Sequence, residues 1–134
     1  MRILIADDDQ LCCQVLMMYL ALLGEVDFAN TGRTAVEAVR NAHDQSRPYG
    51  LIFLDILMPD GDGQEVLRLV REMEMKRGIY GLKSVKVVMV TSLDDRKQVM
   101  SAFRGQAEAF LMKPVDAAKL REVLRDFGLL GKEV

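Results

Sequence analysis

Cysteine and histidine are nearly absent from this 134-residue chain, and their scarcity closes several routes. The only cysteines, Cys12 and Cys13, are adjacent. Neighbours in a helix face different sides, so a bridge between them would distort the backbone. We read them as free thiols of a reducing compartment. His43 is the single histidine and stands far along the chain from both thiols, so no zinc-type cluster can be assembled. An excess of positive charge is missing too: 18 Lys and Arg face 20 Asp and Glu, a net charge of −2 that argues against a nucleic-acid partner. Long apolar runs are missing as well. The longest, VLMMYLALL at 15–23, falls well short of the roughly 18 residues of a membrane span. MRILIADDD reaches its acids by residue 7, too early for a secretory signal. There is no repeat, low-complexity tract or linker. These absences lead us to expect a cytoplasmic protein with neither membrane nor nucleic acid as partner. Half the residues are apolar and 28% charged, and the length suits one domain with a proper core.

What is present alternates between short strand-like runs and longer helical ones. RILIAD (2–7) is a first strand, and DQLCCQVLMMYLALLG repeats Leu11, Val15, Met18 and Leu22 at helical spacing. Asp9 can cap that helix and Gly24 can close it. EVDFA (25–29) is a weaker strand, followed by an amphipathic helix from Thr31 to about Asp44 through Ala35, Val36 and Val39. LIFLD (51–55) is the third strand. Pro59, Gly61 and Gly63 mark a loop before the helix QEVLRLVREMEMK (64–76), and a basic, glycine-containing connection, RGIYGLKS, follows. VKVVMVT (85–91), a helix from Asp94 or Asp95 to about Arg104, AEAFLM (107–112) and the helix DAAKLREVLRDFG complete five strand–helix units. Nearly continuous apolar strands imply an α/β fold, a doubly wound five-stranded parallel sheet with helices on both faces.

In such a sheet ligands bind beyond the carboxyl ends of the strands, where the strand order reverses. There the first strand offers Asp7 and Asp8, the third Asp55, the fourth Thr91 and Ser92, and the fifth Lys113–Pro114. The second ends in the uncharged Ala29–Asn30–Thr31. With the order 2-1-3-4-5, the first and third strands are neighbours at the switch point. Three carboxylates then converge, with a hydroxyl and an ammonium on the far side. Crowded carboxylates need a cation, and an open all-oxygen site suits Mg²⁺. One carboxylate could then attack phosphorus, while lysine and threonine hold the phosphoryl oxygens. Singly, each residue has a plainer reading. Asp7–Asp9 could cap a helix, Asp55 could start a turn, and Thr91 and Lys113 could be ordinary strand-end and surface residues. Their placement at one edge of one sheet is what points to a site.

At ILIADDD, LIFLDILMPDGDG, VVMVTS and AFLMKPVD the chain resembles a response-regulator receiver domain of two-component systems, of the chemotaxis-type, stand-alone kind. The resemblance implies a flavodoxin-like (βα)5 fold and makes Asp55 the phosphoacceptor. It gives Mg²⁺ to Asp7, Asp8, Asp55 and the backbone carbonyl of Leu57. It makes Thr91 the switch hydroxyl and Lys113 its partner at the phosphoryl group. Phe110 becomes an aromatic switch, a plain core phenylalanine being the alternative, and the Lys113–Pro114 bond becomes cis. The implied function is Mg²⁺-dependent transfer of a phosphoryl group from a histidine kinase to Asp55 in a two-component or phosphorelay pathway. This would switch a protein-interaction surface around the stretch 94–104, the fifth strand and the last helix. The receiver would be no enzyme beyond its own phosphorylation and slow autodephosphorylation, and would be a monomer or weak dimer. The signal would pass to a downstream protein or a phosphotransfer domain. Residues 1–134 would be a single receiver domain, and LLGKEV after the last helix leaves us expecting no output domain. Two leucines, Leu57 and Leu93, stand two residues beyond Asp55 and Thr91, where relatives tune water access, so a long-lived phosphoryl group is expected. MEMKRGIYGLKS is longer than many receivers carry before the fourth strand. It is either a tolerated insertion or a partner-specific surface.

Two other classes compete. A phosphohydrolase resembling the haloacid-dehalogenase class could use Asp7-x-Asp9, but it needs another acidic pair late in the chain. After Lys113 the acids are Asp116, Glu122, Asp126 and Glu133, all in the last helix or tail. A phosphorylation-independent interaction module on the same fold typically loses a site residue, and here all are present.

Overall fold

Alternating side chains along each strand divide the apolar residues between two layers, one on either face of a five-stranded parallel sheet. The computed structural model describes residues 1–60, 63–92 and 107–130. Within them run β1 (Arg2–Ala6), α1 (Gln10–Leu20), β2 (Glu25–Ala29), α2 (Gly32–Asp44), β3 (Leu51–Asp55) and α3 (Gly63–Lys76). A short 3₁₀ turn (Gly81–Lys83), β4 (Lys86–Thr91), β5 (Ala109–Met112) and α4 (Ala117–Asp126) follow. The helix expected over 94–104, Leu93 and Gly61 lie outside the described residues.

The strand order is β2-β1-β3-β4-β5, every pair parallel, as expected. β3 is buried along its whole length, whereas the edge strands β2 and β5 are only partly covered. On one face Leu4, Ala6, Ile52, Leu54, Val87 and Met89 pack with Ala35, Val39, Val66 and Val70 of α2 and α3. On the other, Ile3, Ile5, Phe53, Val88 and Val90 meet Leu16 and Leu20 of α1 and Leu120 and Leu124 of α4. Each Val, Leu, Ile, Phe or Met among them, fully buried, contributes about 1.5–3 kcal/mol relative to exposure, so the double layer dominates the stability.

The helix starts follow from local chemistry. Asp9 accepts from the amides of Leu11 and Cys12, Thr31 forms a reciprocal box with Thr34, and Asp116 accepts from Ala118 and Lys119.

Two expectations about α1 need correction. Its core stripe is Cys12, Leu16 and Leu20, not Leu11, Val15, Met18 and Leu22. Leu11, Met18 and Leu22 are 70%, 72% and 88% exposed. The helix carries no charge anywhere, so two apolar stripes fit the same periodicity and neither is marked as outer. Gly24 does not close the helix, which ends at Leu20 with Ala21 as its C-cap. Its work is close approach: a β-carbon there would run into the Met1 carbonyl, the group that accepts from the Glu25 amide. Among the described residues no helix is long and apolar enough to cross a membrane.

Candidate functional site

Register builds the site. Ala6 pairs with Leu54 across β1 and β3, so the next residues, Asp7 and Asp55, stand side by side at the carboxyl ends of the two strands. The Asp7 amide is tied to the Ala29 carbonyl at 2.9 Å. Asp7 and Asp55 are buried, at 4% and 6% exposure, while Asp8 is open to solvent. The Asp9 amide donates to Asp7 Oδ1 at 2.9 Å, and the Leu57 amide to Asp55 Oδ1 at 3.3 Å. From the far end of the sheet comes Lys113, held by its own amide on the Thr91 carbonyl at 2.7 Å and followed by a cis bond to Pro114. Its Nζ lies 3.1 Å from Asp7 Oδ1, 3.3 Å from Asp55 Oδ2 and 3.8 Å from Asp9 Oδ2. The ammonium therefore sits between the carboxylates rather than standing across from them.

The charges are unevenly matched. Burial and the neighbouring Asp7 push the Asp55 carboxyl up to about 7, with Lys113 working against the rise. Burial works against the Lys113 ammonium, but Asp7 and Asp55 outweigh it and hold its pKa above the usual lysine value. Carboxylate oxygens of Asp7, Asp8 and Asp55 lie within 4.8 Å of one another. Asp7 Oδ2 is buried with no hydrogen-bond partner, an expensive state for a carboxylate oxygen unless something binds it. That orphaned oxygen and the all-oxygen donor set fit a hard divalent cation such as Mg²⁺. The nearby thiols are no competing ligands. Cys13 donates to the Asp7 carbonyl at 3.5 Å, and burial with Asp7 pushes it up to about 11. The same causes raise Cys12 further, so both are protonated at neutral pH.

The remaining predicted residues surround this cluster. Thr91 is buried at the end of β4 and donates its hydroxyl to the Ser92 carbonyl at 3.2 Å. Phe110, on the edge strand β5, is 36% exposed, which does not suit a plain core phenylalanine. The Leu57 side chain is exposed.

Gly63 is no mere loop marker: it opens α3 against the end of β3. A β-carbon on it would strike the Asp55 carbonyl, and its amide donates to Ile56 O at 2.7 Å. Its position eight residues after an acid at a strand end was the only available signal. Beside Lys113 a groove of about 150 Å³ runs between Leu11, Val15, Pro114 and Val115, next to the outer stripe of α1.

The family model for the response regulator receiver domain matches residues 3–125. Over 131 residues the chain is 31% identical to hybrid signal transduction histidine kinase L of Dictyostelium discoideum, covering 97% of this chain and 7% of that one. It is 32% identical over 124 residues to two-component response regulator ARR10 of Arabidopsis thaliana, covering 92% of this chain and 20% of that one. The chain thus spans a small part of either curated relative. Among solved structures, a response regulator receiver domain protein (CheY-like) from Methanospirillum hungatei superposes with a TM-score of 0.66 at 29% identity, over 93% of this chain and 90% of that one. With the family model matched across nearly its whole length, on a 2-1-3-4-5 sheet that gathers its acids at one edge, the chain belongs to the response-regulator receiver domain family.

Proposed function

We propose that Asp55 is the phosphoacceptor of this receiver, taking its phosphoryl group from a histidine kinase. The observation that carries this is one buried carboxylate beside a second with an unmet oxygen, both within reach of a single lysine. A carboxylate oxygen of Asp55 attacks phosphorus, an O–P bond forms and the P–N bond of the phosphohistidine breaks. Imidazole leaves with the bonding pair. Lys113 favours the ionised, nucleophilic state of Asp55 and afterwards faces the phosphoryl oxygens, as does Thr91. Asp7, Asp8, Asp55 and the Leu57 carbonyl would hold Mg²⁺, whose contribution is to neutralise charge on those oxygens. The donor seats on the outer stripe of α1, because that uncharged face adjoins the groove leading to Lys113.

Once made, the acyl phosphate draws Thr91, and Phe110 follows, altering the surface around β5 and α4. Residues 1–134 act as one cytoplasmic receiver unit, monomeric or weakly dimeric, that passes its signal to a downstream protein or a phosphotransfer domain. It catalyses only its own phosphorylation and slow autodephosphorylation. Leu57 offers no polar group to orient water, so the phosphoryl group is long-lived, and a lifetime of seconds in the purified protein would count against this.

The deciding experiment is intact-mass spectrometry after incubation with acetyl phosphate, with and without Mg²⁺, on wild type and Asp55→Asn. One adduct that needs both Mg²⁺ and Asp55 is expected. No adduct, together with no binding of beryllofluoride, would leave a phosphorylation-independent interaction module as the better reading.

A further inference from the structure

Of the acids around Lys113, Asp9 alone is left unassigned by the phosphoacceptor chemistry, and its two oxygens are committed differently. Oδ1 caps α1, accepting from the Leu11 amide at 3.1 Å and the Cys12 amide at 3.3 Å. A cap needs no more than that, and asparagine or serine would supply it as well. Oδ2 takes no part in the cap and lies 3.8 Å from Lys113 Nζ. Because the cap already fixes the side chain, its charge is held beside Lys113 with little further loss of rotamer freedom.

Three carboxylates thus share one ammonium: Asp7 Oδ1 at 3.1 Å, Asp55 Oδ2 at 3.3 Å and Asp9 Oδ2 at 3.8 Å. The last is too long for a hydrogen bond, so it acts through charge alone. Coulombic attraction falls as the inverse of distance, so at equal screening it gives up only about a fifth of the shortest contact. An ammonium has just three N–H donors. A phosphoryl group on Asp55 that draws Lys113 to itself therefore draws it from one of these acids.

The three are not equally easy to leave. The side chains of Asp7 and Asp55 are 2% and 8% exposed, and withdrawing their cation would strand a buried charge. The Asp9 side chain is 46% exposed, so water can replace the ammonium there at little cost.

We propose that Asp9 is a positioning residue that holds Lys113 in the resting receiver and competes with the phosphoryl group for it. The ammonium gives up Asp9 when it turns to the phosphoryl oxygens. Asp9 therefore opposes the phosphorylated state, and removing its charge favours that state. The inference rests on Asp55 being the phosphoacceptor, and it adds an acid that works against phosphorylation beside the acids that serve it.

The test is the affinity of the chain for beryllofluoride, a stable stand-in for the phosphoryl group, measured at saturating Mg²⁺ by ¹⁹F NMR. Wild type is compared with Asp9→Asn and Asp9→Ser, which keep the cap and remove the charge. Both should bind about two- to fivefold more tightly at low ionic strength, the range of an exposed ion pair. The gain should fade near 1 M salt, where charges are screened beyond about 3 Å. It should also vanish in a Lys113→Met background, because Asp9 acts through that ammonium. If Lys113→Met binds too weakly to titrate, the ¹⁵Nζ resonance of Lys113 decides instead, and Asp9→Asn must move it in the free protein. Equal affinity in wild type and both variants would overturn the proposal and leave Asp9 a cap alone. A gain that survives in Lys113→Met, or weaker binding by the neutral variants, would overturn it as well. The first would make Asp9 a source of general negative potential, the second a support for Mg²⁺. No beryllofluoride binding by wild type would bring down the phosphoacceptor reading itself, and this inference with it.

Discussion

At one end of the sheet Asp7 and Asp55 share Lys113; toward the other, Glu74 and Glu108 share Arg71. Both clusters set two carboxylates against one cation, and in both an acid is almost wholly buried. The difference is in what is satisfied. Glu74 spends one oxygen on the Val85 amide and the other on Arg71, while Glu108 takes both Arg71 Nη2 contacts and the Val87 amide. At the acidic edge Asp7 Oδ2 has no partner, and a further carboxylate, Asp8, stands within reach of the same point. Matched lone pairs make a clamp between α3, β4 and the segment entering β5; unmatched ones make a place for a ligand.

The sharpest way to break this contrast is to remove each cation. Arg71→Ala should lower stability by about 3–5 kcal/mol, since it strands Glu74 as a buried unpaired charge. Acetyl phosphate labelling below the melting point should persist. Lys113→Ala should cost less, about 1–2 kcal/mol, because Asp55 can take up a proton in its place. Chemical denaturation of both variants checks the order, and equal losses would dissolve the distinction.

A pH series comes next. The folded Asp55 carboxyl is held near 7, above its unfolded value of about 3.9, so the folded state binds more protons between those limits. Its contribution is fully present below about pH 4 and is lost as pH rises through 7. Without Mg²⁺, wild type should therefore lose about 1–3 kcal/mol relative to Asp55→Asn over that window. Smaller still, Mg²⁺ at roughly tenfold its Kd should stabilise wild type by about 1.4 kcal/mol in thermal melts, and Asp7→Asn should abolish the gain. The smallest effect should be Asp116→Ala, which removes the α4 cap for about 1 kcal/mol and leaves labelling and Mg²⁺ response untouched.

Much of this was legible in the residues. Apolar runs such as LIFLD and VVMVT announce central strands because those strands are covered on both faces, and the polar residues ending them stand out for that reason. Thr31 and Asp116 reveal helix starts because capping is a local interaction. What stayed hidden depends on approach between distant segments. Of the acids in EMEMK, Glu72 stays at the surface and Glu74 is buried, and nothing local separates them. Gly24 and Gly63 look like turn residues until Met1 and Asp55 close over them. β5 begins at Ala109 rather than 107, because Glu108 uses its carboxylate on the Val87 amide before the strand pairing takes hold. In α1 an uncharged sequence left its outward face undeclared.

The pairing of Ala6 with Leu54 also sets which changes in length the chain can absorb. Adding or deleting a residue between Leu51 and Asp55 would turn the terminal carboxylate to the opposite face of the sheet, away from Asp7, however well the strand still packed. At the other end of the strands no such phase is kept, and the 75–86 connection can lengthen or shorten without moving a single acid of the site. Drift in length should therefore collect in the connections at that end, while the segments carrying Asp7, Asp55 and Lys113 keep a fixed count from strand pairing to site.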